Sequence, residues 1–252
     1  MLSIIIPTLN EEKYLPLLFA SLGSQEFRNY EIIIVDGGST DNTLPWCMST
    51  KERLGKSWES IIMKIEKLPV SNVSLQKNHG AGIASGTYLA FIDADIILQN
   101  DRFLGHIMHM LGKKGKNGKG YVGATCNLAP DPGSVNGFVK PFFFSGMWNG
   151  TVDILNGWGF PVARGGIQFY NRELFLESGG FPERTSVGED IILSRRMASK
   201  GRIHYCRKIS VFESHRRYES EGYVFTTLRW VINGVWWYLF NRPFSGSYKM
   251  VR

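Results

Sequence analysis

Two hydrophobic rhythms alternate over the first hundred residues. Ser3 to Pro7 ("SIIIP") and Glu31 to Asp36 ("EIIIVD") are short, continuous, β-branched runs, which predict strands buried on both faces. Between them, "NEEKYLPLLFASL" sets an Asn and two Glu ahead of apolar residues at helical spacing. This predicts a helix with acids near its positive end. Pro16 would break an interior turn, so the regular helix starts just before it. "GGSTDNT" (Gly37 to Thr43) is a turn cluster that supplies an N-cap for a helix running toward Leu54. A further strand ends at "FID", inside the apolar run "LAFIDADIIL" (Leu89 to Leu98). Strand, helix, strand, turn, helix, strand predicts an α/β domain with a mainly parallel central sheet and helices on both faces. Ligand sites in such sheets lie beyond the carboxyl ends of the strands. Asn10, Asp36, Asp93 and Asp95 all fall at such ends.

The second half is less regular. Gly112 to Tyr121 ("GKKGKNGKGY") is low in complexity and basic and reads as an exposed loop. "GFVKPFFFSGMWNG" and "LNGWGF" are rich in Gly and aromatic residues without a clear period, and no internal repeat is visible. Val224 to Phe240 ("VFTTLRWVINGVWWYLF") falls short of the roughly 18 apolar residues that span a bilayer and holds Arg229 and Asn233. It reads as a helix lying in a membrane interface. Together with the Phe142 to Phe144 run and the basic loop it resembles a membrane-facing edge, against the alternative of a core helix and a solvated loop.

At 252 residues the chain can bury a substantial core, and its 43% hydrophobic and 20% charged content is that of a globular protein. A formal charge of +7 favours anionic partners, a lipid surface or phosphorylated substrates, over nucleic acid. Cys47, Cys126 and Cys206 form no metal-like pattern and read as reduced, which points to a cytosolic face. The opening "MLSIIIPTLNEE" turns acidic too soon for a signal peptide.

The candidate chemistry begins with an absence. "PTLNEE", after the first strand, lacks glycine, which excludes a dinucleotide fingerprint or P-loop there. A phosphate-bearing ligand therefore needs another source of positive charge. Asp93 and Asp95, two residues apart, repel one another when both are ionised. A shared proton or a divalent cation relieves this, and hard oxygen ligands favour Mg²⁺ or Mn²⁺. The bland alternative is that one caps a helix and the other is solvated. An apolar strand ending in Asp-x-Asp also fits a haloacid-dehalogenase-like phosphatase, with Asp93 as nucleophile. That family carries the pair on its first strand, however, whereas at least two strands precede it here.

"SIIIPTLNEEKYL", "IIIVDGGSTDNT", "GAGIASGTYLAFIDADIIL" and "GGF…VGEDIILSRRM" follow one another in the order of the motifs of family 2 glycosyltransferases, and the chain resembles that family from Ser3 to about Met197. The resemblance implies a GT-A fold, Rossmann-like, with a catalytic domain over 1–212. That domain divides into a nucleotide-binding half, 1–100, and an acceptor half, 101–212. A C-terminal amphipathic, membrane-interfacial segment would follow over 213–252.

It also implies roles. Pro7, Leu9 and Glu11 would line the nucleotide pocket, Asp36 would bind the base, and Gly37 stands where many relatives have a second acid. Asp93 would adjoin the nucleotide and, with Asp95, hold Mn²⁺ or Mg²⁺; Asp95 is the more direct ligand. Glu189 and Asp190 match the downstream acid pair whose Asp is the base in members that glycosylate a hydroxyl.

His215 is a candidate third ligand, or part of a surface basic turn. Arg216 or Arg217 could clamp the diphosphate. Arg229 and Trp230, in "TTLRW", echo the Gln-x-x-Arg-Trp of processive synthases, with Thr226 where Gln would stand; a helix surface is the better reading.

The expected function is metal-dependent, inverting transfer from GDP-mannose or a UDP-sugar to a lipid-linked or membrane-borne acceptor. The protein would sit peripherally on the cytoplasmic face of the membrane. A non-catalytic membrane-associated GT-A protein is the remaining alternative, and the retained acids argue against it.

Overall fold

The computed structural model describes residues 1–57, 61–113, 120–130, 149–158, 160–163, 165–185, 188–214 and 216–240. His215, the Phe142 to Phe144 run and most of the basic loop lie outside them.

The strands are β1 (Leu2–Thr8), β2 (Tyr30–Asp36), β3 (Met63–Lys67), β4 (Tyr88–Ile92), β5 (Ile96–Leu98), β6 (Tyr121–Pro130), β7 (Ile167–Asn171) and β8 (Arg202–Glu213). They form one sheet in the order β3-β2-β1-β4-β7-β6-β8-β5. The β3-β2-β1-β4 half is parallel throughout, as the alternating grammar predicts. From β4 onward the pattern changes, because β7 runs antiparallel to both β4 and β6, and β5 antiparallel to β8.

The helices are α1 (Leu15–Gly23), α2 (Thr43–Ser57), α3 (Val73–Ile83), α4 (Phe103–Leu111), α5 (Asn149–Gly157), α6 (Arg172–Glu177), α7 (Glu189–Ala198), α8 (Arg216–Glu221) and α9 (Tyr223–Phe240). Pro16 sits in the first turn of α1, where its missing N–H costs nothing.

Side chains of a strand alternate between faces, which explains the continuous apolar runs. Ile4 and Ile6 of β1, Ile32 and Ile34 of β2, and Ala90 and Ile92 of β4 pack with α1 and α4 on one face. Ile5, Ile33, Val35, Leu89 and Phe91 pack with α3, α6 and α7 on the other.

The third helix departs from simple amphipathicity, since Gln76 and Lys77 are buried. Gln76 Nε2 donates to Thr8 O at 2.9 Å and to Val35 O at 2.7 Å, fastening α3 to the carboxyl ends of β1 and β2. A Cβ added at Gly37 would stand 3.1 Å from the Gln76 amide, so the side chain missing from the second motif would collide with this fastening.

Replacing Gln76 with Leu removes the donor while keeping the volume, so Thr8 O and Val35 O each lose a buried hydrogen bond. Such a loss costs about 1–3 kcal/mol. Urea unfolding of Gln76→Leu should show a lower midpoint by that amount with an unchanged denaturant slope.

Candidate active site

The loops after β1 and β2 are stitched together residue by residue. Asn10 N donates to Ser39 Oγ (2.9 Å), and Asn10 Oδ1 accepts from Thr40 N (2.8 Å). Glu11 N donates to Thr43 Oγ1 (2.8 Å), and Glu12 Oε2 accepts from Asn42 N (2.9 Å). Asn10 adopts φ 56°, a left-handed conformation that Asn tolerates better than most residues.

Asp36, the last residue of β2, is buried and accepts from Gly38 N and Ser39 N, both at 2.9 Å, from Thr8 Oγ1 at 3.1 Å, and from Ser39 Oγ. The Asp36 carboxylate is thus held rigid by its own loop. Pro7 and Leu9 are buried beside it.

Asp93 follows β4 directly, and Asp95 lies in the turn before β5. Each meets its own internal cation. Lys77 Nζ lies 3.0 Å from Asp93 Oδ1 and donates to Gly165 O at 3.0 Å. Arg216, at the start of α8, grips Glu11 with two bonds of 2.8 Å and reaches Asp95 Oδ2 at 3.0 Å. Its guanidinium lies 4.7 Å from the Tyr14 ring centre.

Burial opposes the charge on Arg216, but Glu11 and Asp95 outweigh it and hold the group protonated. Asp95 is raised to about 6, by burial first and then by the charges of Asp93 and Glu11, against the pull of Arg216.

The downstream acids arrive from the other side. Glu189 and Asp190 open α7 after Gly188, which has φ 80°. A Cβ at Gly165 would stand 3.4 Å from Asp190 Oδ2; one at Gly166 would stand 3.9 Å from Asp93 Oδ2 and 3.0 Å from Glu213 Oε1. Gly166 O accepts from Asp93 N at 2.9 Å. The Gly165-Gly166 turn therefore has Asp190 and Asp93 within ordinary contact distance, and a side chain at Gly166 would crowd Glu213. Burial raises both Glu189 and Asp190, and Lys77 pulls both back.

Among the described residues no cluster of three or more His, Cys, Asp or Glu side chains stands ready to hold a metal. The donor chemistry at Asp93 and Asp95 still suits a hard divalent cation. Two crowded carboxylates supply oxygen ligands, and Mg²⁺ or Mn²⁺ completes its shell with water and substrate phosphate. Burial together with the charges of Asp93 and Glu11 lifts Asp95 to about 6 despite Arg216, and a bound cation would relieve that condition.

Of the remaining candidates, Arg229 pairs with Glu221 at 2.8 Å. Trp230 packs edge-on against Tyr218 with ring centres 5.4 Å apart. Arg217 is part-buried. The sequence reading missed Lys77, Gln76 and Glu213. A buried Lys in "SLQKNHGAG" leaves no trace in composition; its one signal is a run of polar residues on a helix that must cover a sheet.

The sequence model of Glycosyl transferase family 2 matches residues 3–179. The chain belongs to this family.

A PGL/p-HBAD biosynthesis glycosyltransferase of Mycobacterium bovis is 36% identical over 113 residues, which are 45% of this chain and 42% of that protein. The GalNAc(5)-diNAcBac-PP-undecaprenol beta-1,3-glucosyltransferase of Campylobacter jejuni is 30% identical over 125 residues, 50% of this chain and 38% of that protein. The match thus spans less than half the length of these family members. Among solved structures, S. aureus TarS 1-349 superposes with a TM-score of 0.61 at 18% identity, covering 93% of this chain and 65% of that one. The mannosyltransferase PcManGT from Pyrobaculum calidifontis, in complex with GDP-Man and Mn²⁺, gives 0.65 at 18% identity, covering 84% and 56%. The fold is that of the GT-A glycosyltransferases of the family.

Raised carboxylates fix the sign of a pH effect. The unfolded chain ionises its acids near pH 4, whereas the folded protein keeps those protons to higher pH, so folding loses stability as they dissociate. With EDTA present, the unfolding temperature should fall as pH rises from about 4 to about 6, and Asp95→Asn should flatten part of that fall in a fluorescence melt.

Proposed function

We propose that this chain is an inverting, metal-dependent glycosyltransferase that moves a sugar from a nucleotide-sugar donor to a lipid-linked or membrane-borne acceptor. The observation that carries the reading is the Gly165-Gly166 turn, against which Asp93 and Asp190 both stand. Displacement at an anomeric carbon requires a group that stabilises the leaving group and a base for the acceptor within reach of one sugar, and this turn brings an acid of each proposed site to the same place.

Pro7, Leu9, Glu11 and Asp36 bind the nucleoside, and Asp93 and Asp95 would hold Mn²⁺ or Mg²⁺. That ion, when bound, stabilises the charge growing on the diphosphate. Asp190 takes the acceptor proton as the acceptor oxygen bonds to C1 and the bond from C1 to the phosphate oxygen breaks, its electron pair leaving with the nucleoside diphosphate. Burial, with the charge of Asp93, raises Asp190 and so makes it a stronger base. Opening the site to a donor requires Arg216 to give up Glu11 and Asp95, after which its guanidinium is free to meet the diphosphate. His215 and Arg217 adjoin it in sequence, the former as a candidate third metal ligand.

Support for the donor class comes from the neighbours, one holding GDP-Man with Mn²⁺ and another UDP-GlcNAc. A lipid-linked acceptor is supported by the undecaprenol-linked name of the Campylobacter jejuni relative. It is also supported by α9, whose amphipathicity is inverted. Thr226, Thr227 and Asn233 are buried while Val224, Phe225, Leu228, Val231 and Ile232 are exposed. A helix that turns its polar residues inward and its apolar ones outward suits a bilayer interface, and the basic balance of the chain suits anionic lipid. No helix among the described residues is long and apolar enough to cross a membrane. The 213–252 segment would thus place the 1–212 catalytic domain on the cytoplasmic face, where the free cysteines stay reduced.

Melting the protein with GDP-mannose, UDP-glucose and UDP-GlcNAc, with and without Mn²⁺, should give a stabilisation with one base that depends on the ion. Asp190→Asn should keep that shift and lose at least about a hundredfold in turnover, within the range of acid-base catalysis. Full activity in that variant would show an acceptor that arrives already ionised, such as a lipid phosphate, and would remove the base from the scheme.

Membrane attachment is checked by sedimentation with phosphatidylglycerol/phosphatidylethanolamine vesicles. Phe225→Gln with Leu228→Gln should cut the bound fraction at least fivefold, and phosphatidylcholine vesicles should bind less than the anionic ones.

A further inference from the structure

Arg229 joins two surfaces that the scheme above treats apart. Its guanidinium pairs with Glu221, the last residue of α8, at 2.8 Å, and lies 5.6 Å from the centre of the Phe225 ring. Phe225 belongs to the outward apolar face of α9 together with Leu228, while Arg229 keeps 19% of its side chain exposed. An arginine beside an outward aromatic ring, its charge still reaching water, is placed to meet a lipid phosphate as the ring enters the acyl region. The guanidinium fork suits phosphate as well as carboxylate. A phosphate bound there competes with Glu221.

Glu221 in turn secures α8, the helix that carries Arg216 onto the acids of the candidate donor site. At six residues, α8 is too short to persist by its own hydrogen bonds, so it leans on contacts along its length. Arg216 at its start grips Glu11 with two bonds of 2.8 Å and reaches Asp95 at 3.0 Å. Tyr218 packs into the main core and edge-on against Trp230 of α9. Glu221 closes the series on Arg229. Gly222, with φ 86°, follows at once and turns the chain into α9, where Thr226 N donates to Gly222 O at 3.0 Å. Glu221 Oε1 and the hydroxyls of Thr226 and Thr227 are buried at this joint without a hydrogen-bond partner, which lowers the cost of opening it.

We propose, resting on the membrane and donor readings above, that Arg229 and Phe225 form a headgroup site for anionic lipid, and that filling it frees Arg216 from Glu11 and Asp95. Off the membrane, α8 is pinned at both ends and Arg216 covers acids that the donor needs. On an anionic bilayer, lipid phosphate takes Arg229 from Glu221 and the end of α8 loosens. The two-bonded grip on Glu11, which needs a formed helix behind it, then gives way. The donor site thus opens where the acceptor is held.

Hydrogen-deuterium exchange over Arg216 to Gly222 reads this latch without turnover. Phosphatidylglycerol/phosphatidylethanolamine vesicles should speed exchange there at least tenfold, against less than twofold for phosphatidylcholine vesicles at equal bound fraction. Inorganic phosphate, the soluble control, should leave it unchanged. Affinity for the donor that stabilises the parent should rise at least fivefold on the anionic vesicles. Glu221→Gln unpins α8 while keeping Arg229. It should show the fast exchange and the tighter donor binding with no vesicles present, with exchange over α1 and α3 as in the parent. Phe225→Gln with Leu228→Gln should keep the slow exchange throughout.

Vesicle binding that leaves exchange over Arg216 to Gly222 unchanged overturns the proposal and spares the membrane reading. Parent-like exchange in Glu221→Gln overturns it too. Fast exchange with inorganic phosphate alone would assign the site to a soluble anion and break the link to the bilayer. If Glu221→Gln does not fold, the double variant decides: a response as large as the parent's, at equal bound fraction, shows that the outward face is not the sensor. A parent that sediments with no vesicle defeats the membrane reading and the latch together. One that no donor stabilises defeats the donor reading, while exchange still judges the latch.

Discussion

Negative charge gathered at one edge of a sheet is the constraint on which the rest of this molecule depends. Glu11, Asp93, Asp95, Glu189 and Asp190 converge there, and burial and mutual repulsion raise the last three. Buried charges persist only when paired and hydrogen-bonded. The fold meets this with two cations brought from distant parts of the chain, Lys77 from α3 and Arg216 from α8. The Arg216 to Glu11 contact joins residues 205 positions apart, so the segment after β8 closes the N-terminal site. Tyr218, within the same helix, packs into the main core.

The two cations differ in how firmly they are held. Lys77 is enclosed by α3, the Gly165-Gly166 turn and Phe181, and its stem runs through a packed helix-sheet interface. Arg216 begins a short helix and touches loop residues and the Tyr14 ring, with 17% of its side chain exposed. A guanidinium at such a position can leave without disturbing the core. One cation is thus part of the architecture, while the other stands where incoming ligands would compete with it. A divalent ion carries more charge than the guanidinium it would replace at Asp95, which makes exchange favourable once substrate phosphate can compensate for it.

Much of this was legible in the sequence, and the reasons are physical. The parallel half of the sheet announces itself because strands covered on both faces must be apolar throughout, as in "SIIIP" and "EIIIVD". The acids were legible for the opposite reason, since Asp93 and Asp95 interrupt such a run. The second half was not, because β6, β7 and β8 mix parallel and antiparallel neighbours and their pairing follows from the fold around them. Lys77 and Gln76 were hidden by the usual rule that polar helix residues face water. Here α3 lies over strand ends, where Thr8 O and Val35 O accept second hydrogen bonds from Gln76 and Asp93 meets Lys77, so the helix turns its polar residues inward.

The same inversion recurs in α9, and the comparison separates two causes. In α3 the inward polar groups find partners: Gln76 with two carbonyls, Asn78 with Phe181, Lys77 with Asp93 and Gly165. In α9 the Thr226 and Thr227 hydroxyls are buried without a hydrogen-bond partner, and the outward face carries Phe225 and Leu228. Internal bonding therefore explains the orientation of α3, and in α9 it accounts for Asn233, which donates to Arg229 O at 2.8 Å, but not for the two threonines. The proposed bilayer contact of α9 would supply a driving force on its outer side, by accepting those apolar side chains. A cluster of displaceable charge and an adjoining helix with an outward apolar face are together what the proposed transfer from a water-soluble donor to a lipid-held acceptor would use.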